Sequence, residues 1–442
     1  MLSHANIARE ILLAFLVGYF LVGRKAFGTA MNPLAVAVAP WIAIIAAQEF
    51  LEPSMYCSWL ASVIIAGSLS CLGLGAFVVI VFFRSEQVVP EPVRLEPLRK
   101  RRGLRYGVFG LIICGVALHV GITFYYGILQ GVGLSNTGTF VSYALFDQVL
   151  NSAIAWPYRI ATTLLQVGAV ICSLELQSKR PAYLVVILFL TLITMESVFI
   201  ASRFGLYLVF SAVILGWVVF AAQRYRRLSV RLLMFAVLGL ALAGGLYGFT
   251  NSRRTGTETR DTGQMMAAGL ISSPSVFTGI LADRDEWITG TLEGNTFHSL
   301  LLFVTGQERG SWSYDPYSIA PDMSETSNLV TGLWQLLADF GICGTVIILT
   351  LMGAVSTRVF TRFNAQPTAK RAGTLLCMYL LLFWLPVVVL THYMYFWIVA
   401  PVLLETDLLY GMTSSAVSVS TRRSQARNLP SRNLSEGASA EA

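Results

Sequence analysis

Long apolar runs alternate with short polar breaks along most of the chain. A membrane-spanning helix needs about 20 mostly apolar residues. Runs of that kind lie near 6–23, 33–50, 57–83, 106–128, 155–176, 182–200, 204–222, 229–249, 333–355, 374–391 and 393–411. They predict about eleven spans. The stretch 374–411 also reads as one long helix with an interfacial tail, and 139–154, with the single charge Asp147, as a re-entrant or interfacial piece. The predicted fold is an all-α polytopic integral membrane protein. Residues 1–249 form a bundle of about eight helices, 250–328 a large polar loop, 329–411 the C-terminal helices, and 412–442 a tail. That tail is rich in Ser, Arg and Asn, which predicts disorder. No internal repeat is visible.

Composition agrees with this pattern. Hydrophobic residues make up 55% of the chain and charged residues 12%, where a soluble domain carries about 25% charged residues. The first apolar run, Ile11 to Val22, follows Arg9 and Glu10 and meets no small-residue cleavage site before Gly23-Arg24-Lys25. It reads as a retained anchor starting near Asn6, with Arg9 as its flank. All six cysteines lie in or at the edges of apolar runs, which makes them packing residues rather than a disulfide framework or metal site.

The net charge of +7 raises the question of nucleic acid. Where the cations fall answers it. Of the 31 Lys and Arg residues, 23 cluster at 24–25, 84–105, 179–180, 224–231, 358–371 and beyond Thr421, every lysine among them. The predicted spans put all these clusters on one face, and the positive-inside rule makes that face cytoplasmic. The basic balance is therefore a topology signal, and no nucleic-acid partner is needed. The N-terminus and the loop 250–328 then lie outside, and the C-terminus inside.

The remaining basic residues are all arginines: Arg9, Arg159, Arg203, Arg253, Arg254, Arg260, Arg284 and Arg309. Apart from Arg9, they fall on the outer face or at outer helix ends. The planar guanidinium fork grips phosphate or carboxylate bidentately and keeps its charge when partly desolvated, so the set suits an anionic ligand. Salt bridging within the acid-rich loop is the competing explanation. Glu196 and Arg203 sit at the turn between the sixth and seventh spans, as a pair or a shared site at the membrane edge.

Asp283-Arg284-Asp285-Glu286 has an Asp-x-Asp spacing seen in metal-holding glycosyltransferase sites, but acidic triplets are common in loops. His298 and His392 are the outer-face histidines; each suits a general base or a hydrogen-bonded structural role. No G-x-S-x-G, P-loop or H-E-x-x-H motif is present, which removes the common hydrolase, NTPase and metalloprotease readings. The ninth run carries Asp339, with Gly341 and Gly344 behind it. A carboxylate deep in hydrocarbon costs about 2.5–3.5 kcal/mol. Entry from the outer face puts Asp339 a turn or two below the interface, within reach of water or partners. Gly341 and Gly344 there permit close helix approach.

One dominant outer loop late in a polytopic chain, Ser-Arg-Phe-Gly at 202–205, and Asn328 and Thr331 ahead of Asp339-Phe340-Gly341 together resemble the Wzy-type polymerases of O-antigen and exopolysaccharide. The resemblance implies a metal-independent glycosyltransferase of the bacterial inner membrane that needs no cofactor. Its substrates are undecaprenyl-diphosphate-linked oligosaccharides, and a chain-length regulator is a further implied partner. A growing glycan leaves its undecaprenyl diphosphate and joins a new lipid-linked repeat unit on the periplasmic side.

The resemblance gives Asp339, Arg203, His298 and Glu196 catalytic parts. Arg159, Arg253, Arg254, Arg260, Arg284, Arg309, Asn328 and His392 would bind substrate. Asp339 either acts on the acceptor or pairs with an arginine as a helix anchor. Two rivals remain. An O-antigen ligase shares donor and compartment but usually carries Glu-x-Gly where this chain has Asp-Phe-Gly. A lipid-linked oligosaccharide flippase calls for charges deep in several spans and a repeat between halves.

Overall fold

A computed structural model describes residues 2–51, 55–82, 93–129, 155–200, 203–224, 271–291, 295–297, 317–318, 326–327, 331–388, 390–392 and 394–414, with single positions 300 and 304. The predicted re-entrant or interfacial piece at 139–154 and the predicted span near 229–249 lie outside these residues.

Among the described residues, seven helices come before position 225: α1 (Leu2–Phe27), α2 (Pro33–Leu51), α3 (Trp59–Phe82), α4 (Arg102–Leu129), α5 (Ala155–Glu175), α6 (Tyr183–Ile200) and α7 (Arg203–Arg224). Then come α8 (Ser273–Asp283), the short α9 (Glu286–Thr289), the long α10 (Gly332–Ala365), α11 (Ala369–Trp384) and α12 (Met394–Leu404). Pro33–Phe50, Trp59–Phe82, Arg99–Ile122 and Gly332–Ala365 are long and apolar enough to cross a membrane, and further apolar helices pack beside them. The protein is membrane-embedded.

The outward-facing side chains fit that setting. Along α10, Ile342, Val346, Ile347, Leu351 and Val355 are exposed, while Thr345, Leu349, Gly353 and Ser356 are buried. This is a helical stripe with its apolar side turned to lipid. The buried side packs against α3, where Gly353 meets the Leu72 carbonyl and Gly75 meets that of Thr350. Neither position has room for a side chain, so the two backbones approach closely.

The ends of the bundle are distinct. At one end Phe27 of α1 meets Phe360 of α10, and Phe220 of α7 meets Phe363. There Lys370 at the start of α11 donates its N–H to Asp407. The described basic clusters gather at this end. At the opposite end the Gln48 amide donates to the Ile271 carbonyl at 2.6 Å, and the Ser58 N–H to Thr278 Oγ1 at 3.1 Å. These bonds seat α8 on the ends of α2 and α3. Arg9 is buried here. It pairs with Glu49 at 2.5 Å and donates to the Met55 carbonyl at 2.9 Å. It is a tie between three segments rather than a flank.

Two departures from an all-α reading stand out. Val93–Pro97 (β1) pairs antiparallel with Tyr410–Ser414 (β4), and Tyr317–Ser318 (β2) pairs with Thr326–Ser327 (β3). β4 thus takes up Met412–Ser414, the first residues of the predicted tail. The run 374–411 is a hairpin rather than one helix, because Gly373 near the start of α11 touches the Leu403 carbonyl at the end of α12. The α-helical part of the predicted span 393–411 ends at Leu404, and a 3-10 turn follows at Thr406–Leu408.

Candidate active site

The site is built on a break in α10. Thr331 caps the helix, its side chain accepting the Trp334 N–H at 3.3 Å, which satisfies one of the donors that a helix start leaves open. The first turns, Gly332 to Asp339, are buried. At Gly341 the backbone turns to φ 61°, ψ −172°, a conformation that only glycine adopts without strain.

The break exists because another backbone lies against it. A side chain on Gly341 would meet the Thr289 carbonyl carbon at 2.6 Å, and one on Gly290, itself at φ 77°, would meet the Gly341 nitrogen at 2.5 Å. These two glycines cross with no space for a Cβ on either. The interruption leaves the Ala338 carbonyl free of the helix ladder, and Thr291 satisfies it with its N–H at 2.7 Å and its Oγ1 at 3.0 Å. A buried carbonyl is rarely left unmet.

Asp339 completes the knot. It is 1% exposed, and its Oδ2 accepts the Thr296 N–H at 2.5 Å. The Thr296 carbonyl in turn accepts from Thr391 Oγ1 at 2.9 Å, and the Thr391 carbonyl accepts from Trp397 Nε1 at 2.9 Å. Phe297 meets Phe340 edge-on and Trp397 at a tilt, with centroids 6.3 and 6.0 Å apart. The turn Asn295–Phe297 is therefore held on its N–H side by a carboxylate and on its C=O side by a hydroxyl. Asp339 is not a water-facing group at an open mouth; it positions the segment that leads to His298. Gly341 likewise serves the loop crossing, and the close helix contact lies further along, at Gly353.

Among the other predicted site residues, Arg284 is half-buried and caps α8, its N–H donating to the Ile280 carbonyl at 3.0 Å. Arg253, Arg254, Arg260, His298, Arg309 and Asn328 lie outside the described residues. The backbones of Glu196, Arg203 and Arg159 fall in α6, at the start of α7 and in α5, and that of His392 in the turn Leu390–His392. Their side chains lie outside the described set. Asp283 and Asp285 are exposed beside Arg284.

Two features had no counterpart in the sequence reading. His119 of α4 is buried and stacks on Tyr158 of α5, with centroids 4.5 Å apart; a histidine inside an apolar run was the available signal. At the opposite end of the bundle Glu175 is fully buried. It is gripped through both oxygens by Arg105, and accepts from the Tyr410 hydroxyl at 2.5 Å and the Ala182 N–H at 2.7 Å. Burial, reinforced by the Glu175 charge, pushes the Tyr410 phenol well above its ordinary pKa. Tyr410 therefore stays a hydrogen-bond donor.

Set against protein-family models, curated proteins and solved structures, the chain matches none.

Proposed function

We propose that this chain is a Wzy-type repeat-unit polymerase of the bacterial inner membrane. It would transfer a growing glycan from undecaprenyl diphosphate to a new lipid-linked repeat unit. The observation that carries the reading is the Asp-Phe-Gly break. The motif that resembles the family is where a spanning helix opens and the segment between spans folds back onto it. It does so at the end of the bundle away from the described basic clusters, the end that the positive-inside rule puts outside.

The chemistry asks for three things there. A diphosphate leaving group needs fixed cations, for which the arginines of the outer face are the proposed source. The acceptor hydroxyl needs a base, for which His298 and Glu196 are the proposed candidates. The reacting segment must be held still while a lipid-borne donor enters from the side, and the Asp339–Thr296–Thr391 chain suits that task. The donor carries the energy, so no nucleotide motif is needed.

The test is a reaction of the purified full chain with lipid-linked repeat units, with and without chelator. A ladder of polymer, unchanged by chelator, is the expected product. Single transfer to a lipid A core instead makes the protein a ligase, and movement of the units across the bilayer without transfer makes it a flippase. Asp339→Asn keeps an oxygen acceptor for the Thr296 N–H, so it should insert normally and retain part of its polymer yield per mole. Complete loss of polymer in a normally folded Asp339→Asn protein would move Asp339 from positioning to proton transfer.

A further inference from the structure

The end of the bundle away from the proposed site carries a charged surface that the proposed reaction does not use. A 3-10 turn, Arg99–Arg101, runs directly into α4, so Arg99, Lys100, Arg101 and Arg102 follow one another, all exposed. Lys179 and Arg180, in the turn between α5 and α6, are exposed as well.

Backbone and side-chain contacts hold these two strings together. Leu95 of β1 bridges Ser178, and its carbonyl accepts the Lys179 N–H at 2.9 Å. Arg105 is committed to Glu175 and also donates to the Arg180 carbonyl at 3.4 Å. Ala182 donates its N–H to the same Glu175. Arg101 and Arg102 lie about one helical turn before Arg105. The second string is therefore fixed beside the first.

Among the described residues, charge on this surface is uncompensated. Glu175 is spent inside on Arg105, and Glu96 is spent on Lys179 at 2.8 Å. No ion pair among the described residues engages Arg99, Lys100, Arg101, Arg102 or Arg180. Directly beyond the cations, the starts of α4 and α6 expose apolar side chains: Leu104, Tyr106, Tyr183 and Leu184. Tyrosines at the ends of apolar helices mark the level of lipid headgroups.

We infer that this surface binds the headgroups of anionic phospholipids from the surrounding bilayer. The guanidinium forks take the headgroup phosphate, and Leu104, Tyr106, Tyr183 and Leu184 lie along the acyl chains. A nucleic acid or a soluble acidic protein would use the cations but leave the apolar collar without a purpose. The inference rests on the membrane-embedded fold alone and is independent of the proposed polymerase reaction.

The test uses the full chain reconstituted in phosphatidylcholine bilayers, probed with spin-labelled phosphatidylglycerol or spin-labelled phosphatidylcholine. The motionally restricted fraction should favour phosphatidylglycerol by about five-fold, and rising salt should erase that preference. The R99Q/K100Q/R101Q/R102Q protein should lose it. K179Q should keep most of it, because Lys179 is already paired. Equal restriction of the two lipids by the unaltered chain overturns the inference. So does a preference that survives in the quadruple variant. Should that variant fail to insert, a salt-independent preference in the unaltered chain overturns it equally.

Discussion

Glu175 and Asp339 are both stripped of water, and the protein accommodates them in different ways. Glu175 is met by a guanidinium, a phenol and a backbone N–H from three separate stretches of chain. Asp339 accepts a backbone N–H at a helix break that two crossing glycines make possible. The first arrangement depends on charge balance. The second depends on shape. That contrast suits the proposed reaction, which calls for one end that stays shut and one that admits a substrate.

Removing charge from the first should have the largest effect. Glu175→Gln leaves Arg105, itself 5% exposed, without its counter-ion. Breaking a buried pair on one side costs about 3–5 kcal/mol. The variant should melt well below the unaltered protein in detergent and accumulate poorly. Replacing the pair together, Glu175→Leu with Arg105→Met, should recover most of that loss, because the uncompensated charge is then gone. A Glu175→Gln protein that melts normally would show that charge balance does not hold this end.

The other end should fail by shape. Gly341→Ala places a Cβ at 2.6 Å from the Thr289 carbonyl carbon on a backbone with φ 61°. Strain of this kind costs about 1–3 kcal/mol. The damage should be local. Limited proteolysis should open the 286–297 segment while the bundle melts nearly as before, and polymer yield should fall with the opening. Gly290→Ala should do the same, and the double variant should add little, since either Cβ alone forces the two backbones apart. A global loss of stability equal to that of Glu175→Gln would erase the distinction between the two ends.

How much of this was legible in the sequence follows the same division. The apolar runs 33–50 and 57–83 fall on α2 and α3 almost residue for residue, because lipid-facing surface has a length and composition that one window can read. The ties between helices were not legible. Arg9 finds Glu49 across a helix and a turn, and β1 finds β4 from the far end of the chain. No local pattern announces either pairing. Glu175 closes an apolar run just before the basic pair at 179–180, and nothing nearby names Arg105 or Tyr410 as its partners. The break at Gly341 hid inside an unbroken apolar run, where glycine is common in membrane helices without breaking them. The sequence offered Asp339 an acceptor hydroxyl or an arginine, whereas the Thr296 N–H that it meets in the structure carries no sequence signature.

The smallest effect should come from ion pairs that resemble the Glu175 latch in chemistry but keep their water. Lys179–Glu96 and Lys370–Glu405 lie at the same end as Glu175, at 2.8 and 3.2 Å, with side chains 40–56% exposed. In that setting solvent screens the attraction, and holding two long side chains in register offsets much of what remains. Exposed pairs of this kind contribute about 0.2–1 kcal/mol. Lys179→Ala and Lys370→Ala should each shift the melting temperature only slightly, and the shift should shrink further as salt is raised. The Glu175→Gln defect should persist at the same salt, because its charges lie beyond the reach of counter-ions. Equal salt sensitivity in all three variants would mean that water reaches Glu175 in the membrane-embedded protein. The contrast between the two buried carboxylates would then reduce to the glycine crossing alone.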